Sequence, residues 1–316
     1  MRKRRIAAAL MALILALSGC AAAGDGATNK NTPDINPKAE AANKDMSKVR
    51  LYYSYKGEML LAGETRSIDV PVSQKREEAV VRALIQGPSA ERSELAGLFW
   101  EGVTLVNVEN NDDVLFVTLS EEFVTTNPSV PALAGNTALD RKMLAIYSIV
   151  NTITEMGTYS SVQISVQRKN GSQRIMRSEA GFDGEDKALD PLSWNVDLIL
   201  TPEKTLKQAL DAYAKKNWTE LYNYTAYTNI DGTVKPDSED FSAALNEVGS
   251  NDLDSFEPKG VNVMSDGQSA VVMLNYTIKT RNGDIERTMV PVILVLEDEL
   301  WKVSYSSIVN VLINVG

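Results

Sequence analysis

The sequence contains no histidine and only one cysteine among 316 residues. Without an imidazole, and with a single thiol, the chain cannot assemble a Ser-His-Asp or Cys-His nucleophile, nor a zinc site ligated by His or Cys. One Cys cannot form a disulfide within the chain, so the folded part must be held by hydrophobic burial alone. Only carboxylate, lysine, tyrosine and hydroxyl chemistry is left, and no catalytic residue, metal or cofactor is expected. Basic residues are also scarce: 32 Lys and Arg stand against 42 Asp and Glu, a formal charge of -10. Such a surface repels nucleic acid phosphate and anionic lipid headgroups. No nucleic acid partner is expected. Apolar residues at 44% and charged residues at 23% are globular values.

What is present begins with MRKRRIAAALMALILALSGC. Arg2, Lys3, Arg4 and Arg5 make a basic start, Ile6 to Leu17 an apolar run of about a dozen residues, and Leu17-Ser18-Gly19-Cys20 a small-residue ending before the thiol. A bilayer-spanning helix needs roughly 20 apolar residues, so this run is too short to be one. The ending resembles the lipobox of bacterial lipoproteins. That resemblance implies cleavage before Cys20, a diacylglycerol thioether on its sulfur and palmitate-type acylation. The alternative is an ordinary secretory leader with an incidental Cys. The expectation is a signal peptide over 1–19 and a lipid anchor at Cys20 on the extracytoplasmic face of the cell membrane. Without the leader's four basic residues, 28 basic stand against 42 acidic ones, a balance of -14.

Residues 20–47 have no aromatic residue, two prolines and no period, and read as a disordered tether with a root-mean-square reach of about 30 Å. Strand-like alternation follows at 49–55 and 67–72, with turn chemistry at Lys56-Gly57-Glu58. A helix is expected behind a Ser73 cap, with Ala79, Val80, Ala83 and Leu84 inward and Gly87-Pro88 as its stop. Strands at 103–109 and 114–119 flank an Asn-Asn-Asp-Asp turn. A second helix is expected over 137–156, with Leu139, Met143, Ile146, Ile149, Val150 and Ile153 as its apolar stripe, and a hairpin over 161–177 closes this part.

Tyr52-Tyr53, Ala83-Leu84-Ile85-Gln86-Gly87-Pro88, Glu101-Gly102-Val103, Val117-Thr118-Leu119-Ser120 with Glu122-Phe123, Asn151-Thr152-Ile153-Thr154-Glu155 and Val162-Gln163-Ile164-Ser165-Val166 together resemble the GerMN domain. Phe99-Trp100 departs from the proline the family usually has there. The resemblance implies a GerMN-type α/β sandwich over 48–180, an association with sporulation and spore germination, and no catalytic residues. Residues 181–195, acidic and rich in turn formers, read as a linker whose carboxylates lack EF-hand spacing.

From 196 to 316 the pattern changes to helices at Leu206-Ala209-Leu210-Tyr213, at 218–222 and at 241–248. Strands at 269–279, 286–296 and 300–305 follow them. This layout, ending in Leu300-Trp301-Lys302-Val303, resembles the cone-shaped nuclear transport factor 2-like fold, and the fold class of the whole chain is therefore α+β. That fold often encloses a pocket, which Tyr213, Trp218, Tyr222, Tyr224 and Tyr227 are placed to line or, as plain core, to fill. Asn217, Asn223 and Asn275 head chance glycosylation triplets. The first half is nearly neutral, with 14 basic and 16 acidic residues, and the second carries 10 against 18. Three functions follow. The first is a non-enzymatic envelope lipoprotein that assembles with other envelope proteins or with itself, ring assembly included. The second is a ligand-binding lipoprotein using the C-terminal pocket for a small ligand, and the third is a carboxylate-based enzyme.

Overall fold

The computed structural model describes residues 44–125, 138–247, 252–280 and 282–313. The leader, Cys20 and the tether up to residue 43 lie outside the described residues. Strand β1 (Lys44–Tyr55) pairs antiparallel with β2 (Leu61–Pro71), so the pairing starts four residues before the expected end of the tether. Lys56 and Gly57 take the left-handed conformations that the intervening turn requires, with φ of 49° and 71°. Among the described residues, the one strand that pairs with the opposite edge of β1 is β3 (Leu95–Ala96), at Ser54 and Tyr55. The second sheet has the order β4 (Leu105–Asn111), β5 (Val114–Leu119), β6 (Ser161–Arg168), β7 (Gly171–Arg174). Its central pair, β5 and β6, is parallel because α2 (Ala138–Glu155) lies between them in the chain. Helix α1 (Arg76–Gln86) and α2 each touch strands of both sheets.

Two expectations about these helices change. Lys75, not Ser73, occupies the N-cap of α1, with no side-chain cap bond; Lys75 instead donates to the Val108 carbonyl at 2.9 Å. On α2, Leu139 is 44% exposed and Met143 half-buried, while Arg141, Lys142, Ser148, Asn151 and Thr152 are buried. The cause is backbone demand. Tyr52, on the open edge of β1, donates its N–H to the Thr152 hydroxyl at 3.1 Å, and its carbonyl accepts from Ser148 at 2.6 Å. Arg141 supplies the Gly97 and Leu98 carbonyls and Lys142 that of Val124; burial lowers the pKa of both. A helix that must satisfy buried backbone turns polar residues inward.

The expected linker is docked. Val162 exchanges backbone bonds with Leu192, Leu189 donates to Ile175 at 2.8 Å and is buried, and Met176 bridges Ala188. Short α3 (Arg177–Ala180) precedes this stretch, and Asp186 accepts from the Ser178 N–H and hydroxyl. Beyond it come α4 (Pro202–Ala214), α5 (Trp218–Tyr224) and α6 (Ser238–Glu247). They precede a curled antiparallel half-barrel sheet of order β11 (Leu300–Val303), β10 (Gly283–Glu297), β9 (Ser269–Thr280), β8 (Asp252–Val263). Strand β8 was not expected, since Asp252-Leu-Asp-Ser-Phe-Glu-Pro-Lys-Gly shows no clean alternation. It is an edge strand whose register shifts at Leu253/Ser255 and Pro258/Gly260, which is where a sheet tolerates proline and glycine. A last turn, α7 (Tyr305–Ile308), continues as a wider turn over Val309–Ile313 and buries Ile308, Val311 and Leu312. The layout is α+β throughout, and the buried apolar residues of the two halves form one continuous set.

A charged pair, Glu64 buried and Arg66 half-buried, sits under the end of α1. Glu64 and Arg66 project from the same face of β2 as Ala62 and Ile68, and Arg66 donates to Glu64 (2.8 Å), to Tyr53 Oη (3.3 Å) and to the Gly87 carbonyl (3.1 Å). Glu64 also accepts from the Ser89 N–H at 3.2 Å and from its hydroxyl. Burial opposes ionisation of Glu64, but the bonds from Arg66 and Ser89 outweigh it and hold the carboxyl below its usual range.

Two outcomes follow from these contacts. Thr152→Val keeps the shape of α2 but leaves the Tyr52 N–H without an acceptor. It should cost about 1–3 kcal/mol in urea unfolding, and an unchanged midpoint would refute the role given to the hydroxyl. Because the folded-state pKa of Glu64 is depressed, its stabilisation is present above the unfolded value of about 4.3 and fades as pH falls through the folded one. Glu64→Gln should therefore be less stable than the parent at pH 7, with the difference shrinking below about pH 4.

Candidate functional site

The charged residues that gather in one place do so along the seam between the GerMN-like half and the second half. The β1–β2 turn carries Lys56 onto α5, where its ammonium lies 2.5 Å from Glu220, 4.3 Å from the Tyr224 ring centroid and 5.4 Å from that of Tyr55. The rings of Tyr55 and Tyr224 are 6.1 Å apart and both residues are buried, which pushes both phenols well above their ordinary pKa. Leu200 donates to the Leu61 carbonyl at 2.8 Å, and Gln208 on α4 donates to Glu58 at 3.1 Å. Burial raises the pKa of Glu58. At the far end of the seam, the Glu299 carboxylate accepts from the Thr65 N–H (3.0 and 2.8 Å) and hydroxyl (2.9 Å). Asp298 and Glu299 hold φ of 47° and 63° in the β10–β11 turn, a conformation that asparagine or glycine adopts more easily.

Between these contacts is an open cleft of about 390 Å³, lined in part by Lys56, Glu94, Glu297, Asp298 and Lys302. Apart from Asp298, these charges are already engaged, Lys56 by Glu220. Lys302 donates to the Asn223 carbonyl at 2.8 Å, Glu94 pairs with Arg92 at 2.5 Å, and Glu297 accepts from the Tyr227 and Thr228 N–H groups at 2.9 Å. Burial lowers the pKa of Lys302, and the neighbouring Lys56 lowers it further. The chemistry on display is that of a clamp: paired charges and backbone bonds that fix one half on the other.

The aromatic residues proposed to line a C-terminal pocket do not converge. Tyr213 lies tilted against Trp218 at 5.5 Å, Tyr222 meets Phe241 edge-on at 5.3 Å, Tyr224 lies tilted against Tyr55, and Tyr227 is 61% exposed. The hollow of the sheet is filled by Leu206, Leu210, Val303, Ile308, Val311 and Leu312, which leave no room for a water molecule between them. Lys235 lies over Tyr222 at 3.7 Å and donates to the Tyr222 and Thr225 carbonyls; burial brings its pKa down to about 8. The three triplet asparagines have structural duties. Asn217 caps α5, Asn223 receives Lys302, and Asn275 accepts from the Met289 N–H at the β10 bulge. Among the described residues no group of three His, Cys, Asp or Glu side chains could hold a metal, and Asp183 to Asp190 form surface turns and ion pairs.

The residues of the Asn-Thr-Ile-Thr-Glu stretch are consumed in the same way. Besides Thr152, Asn151 donates to the Asn195 carbonyl at 3.0 Å and accepts from its N–H at 2.9 Å, pinning the chain as it enters the second half. With that geometry in hand, the sequence match is decisive: residues 50–171 fit the family model described as Germane, sporulation and spore germination. Residues 50–171 are a GerMN-type domain. The match ties this part of the chain to sporulation and spore germination.

No curated protein matches the chain. Among solved structures it is similar to the tandem GerMN domains of the sporulation protein GerM from Bacillus subtilis, at 19% identity and a TM-score of 0.32. That match covers 52% of this chain and 49% of that one, so the chain spans about half the length of GerM in that structure. A putative lipoprotein from Clostridium perfringens is similar at 19% identity, 48% and 89% coverage and a TM-score of 0.28. A Delta 5-3-ketosteroid isomerase from Mycobacterium sp. is similar at 14% identity, 33% and 91% coverage and a TM-score of 0.25. These TM-scores are low, and the family match carries the assignment.

The coupling across the cleft is measurable. Lys56→Met removes one of the two influences that depress Lys302, so NMR titration of the Lys302 ε-methylene should show its pKa rising toward the ordinary lysine value. An unmoved titration would mean that the two ammonium groups do not sense each other.

Proposed function

We propose that the protein is a non-enzymatic lipoprotein of the bacterial cell envelope. It is held through acylated Cys20 on the extracytoplasmic face of the cell membrane, where its GerMN-type domain makes assembly contacts with other envelope proteins in sporulation, spore germination or cell-wall processes. The observation that carries this reading is the GerMN match combined with the fate of its polar residues. Asn151, Thr152, Ser148, Glu64 and Arg66 are each spent on backbone or on one another, which leaves a domain suited to presenting surfaces. The filled hollow of the second half favours this reading over binding of a small ligand there. The docked seam makes the second half a fixed spacer beside the GerMN-type domain.

Lipidation is the part most directly tested, because two acyl chains give stable anchoring where one does not. Cys20→Ser should leave the protein unprocessed or released from membranes, as seen by gel mobility and fractionation. A mutant cut to the same size and equally membrane-bound would refute the anchor. Affinity isolation of the lipidated protein from membranes, with identification of what accompanies it, tests the assembly role. A wild type that reproducibly brings down no envelope protein would overturn it.

A further inference from the structure

Strand β2 is the outer strand of its sheet, and the first part of its free edge is already used. The Leu61 carbonyl accepts from Leu200 in a parallel bridge with Ile199, and the Thr65 N–H is capped by Glu299. Backbone groups in a paired strand point alternately toward and away from the partner, so after Leu61 and Thr65 the next outward residue is Ser67. Among the described residues neither its N–H nor its carbonyl meets a partner. Beside this edge runs a groove of about 400 Å³ between β2 and α1. Ile68, Ala79 and Ala83 are its floor, and Gln74, Arg82 and Gln86 stand along its rim.

We propose that this groove is the docking site through which the GerMN-type domain takes up an extended segment of a partner protein, added as a strand beside Ser67. The inference rests on the assembly reading and names its surface. An edge strand flanking a helix offers main-chain bonds for affinity and a groove for alternate side chains, the geometry by which sheets accept peptides. Continuity decides for a chain segment as occupant: Ile199 and Leu200 already lie along the same edge as a short added strand. The chemistry of the segment follows from the walls. Small Ala79 and Ala83 leave room for one aliphatic side chain of valine or isoleucine size. Arg66 and Arg82 are neutralised by Glu64 and Glu78, and the remaining charged residue of the lining is Asp69, so nothing in the walls selects an acidic segment. The occupant is an extended, nearly neutral segment with a β-branched or small aliphatic residue pointing into the floor.

The test uses full-length protein in detergent, panned against random dodecapeptides displayed on phage, with synthetic copies of the enriched peptides measured by fluorescence anisotropy. Ser67→Pro removes an outward N–H and leaves the β1–β2 ladder intact, and Ala83→Leu fills the groove. Enriched peptides should alternate aliphatic and polar residues, and their affinity should fall at least about tenfold on either variant while the melting temperature of Ser67→Pro stays at the parent value. If Ser67→Pro melts lower, peptides N-methylated at alternate amides replace it, with the same loss expected. No enrichment, or equal binding by Ser67→Pro and by methylated peptides, would overturn the proposal. A wild-type dimer that Ser67→Pro turns into monomer would do so too, by assigning the edge to a second copy. In membranes, an unchanged set of proteins isolated with Ser67→Pro would sink the groove and leave the assembly reading standing.

Discussion

The rest of the molecule depends on the open edge of β1. A strand paired on one side only must bury the N–H and carbonyl groups of its other side or expose them, and unsatisfied burial costs about 1–3 kcal/mol per group. Strand β3 is too short to cover that edge. Helix α2 takes over at Tyr52 through the Ser148 and Thr152 hydroxyls, which places it against β1 while its other contacts reach β6. The polar residues of a helix that looks amphipathic are thereby turned inward. Its two sheets are held apart by a layer that serves both.

The same economy governs the join to the second half. Asn151, one residue before Thr152, fixes the backbone at Asn195, so the helix that completes β1 also sets where the chain leaves for α4. From there Leu200 returns to β2, Lys56 closes on Glu220, and Glu299 reaches Thr65 from the other end of the sequence. Partly exposed ion pairs of this kind contribute little individually. Here they sit on top of buried Tyr55, Leu61, Leu200 and Tyr224, whose burial supplies most of the driving force, and the charges fix orientation. Asp298 and Glu299 accept an unfavourable turn conformation in that context.

Function by presentation is consistent with this arrangement. Most buried polar side chains among the described residues are paired with backbone or with each other, Thr205 and Tyr224 being exceptions, and the hollow of the curled sheet is occupied by the last described turns.

The sequence by itself determined the positions of most elements, because alternation and helical spacing report which face of a segment leaves water: the end of β2 from Ser67 on, β5, α1, β6 and the β9–β10 pair were legible in that way, while Leu61 to Arg66 were not read as strand. The GerMN motifs were legible as a resemblance, and the absence of His with a single Cys excluded whole classes of chemistry before any fold was known. Only the tertiary structure decided what the motif residues do. Thr152 looks like any helical threonine until Tyr52, one hundred residues earlier, lies beside it. Glu64 and Arg66 precede the stretch at 67–72 whose alternation reads as a strand, and their partners Ser89 and Gly87 come from another segment. Strand β8 was hidden because an edge strand with bulges needs no hydrophobic alternation, and the docking of 181–195 because turn-rich composition describes local conformation and not what the turns pack against. Local pattern reports burial; which distant backbone group a buried polar side chain satisfies is a property of the assembled fold.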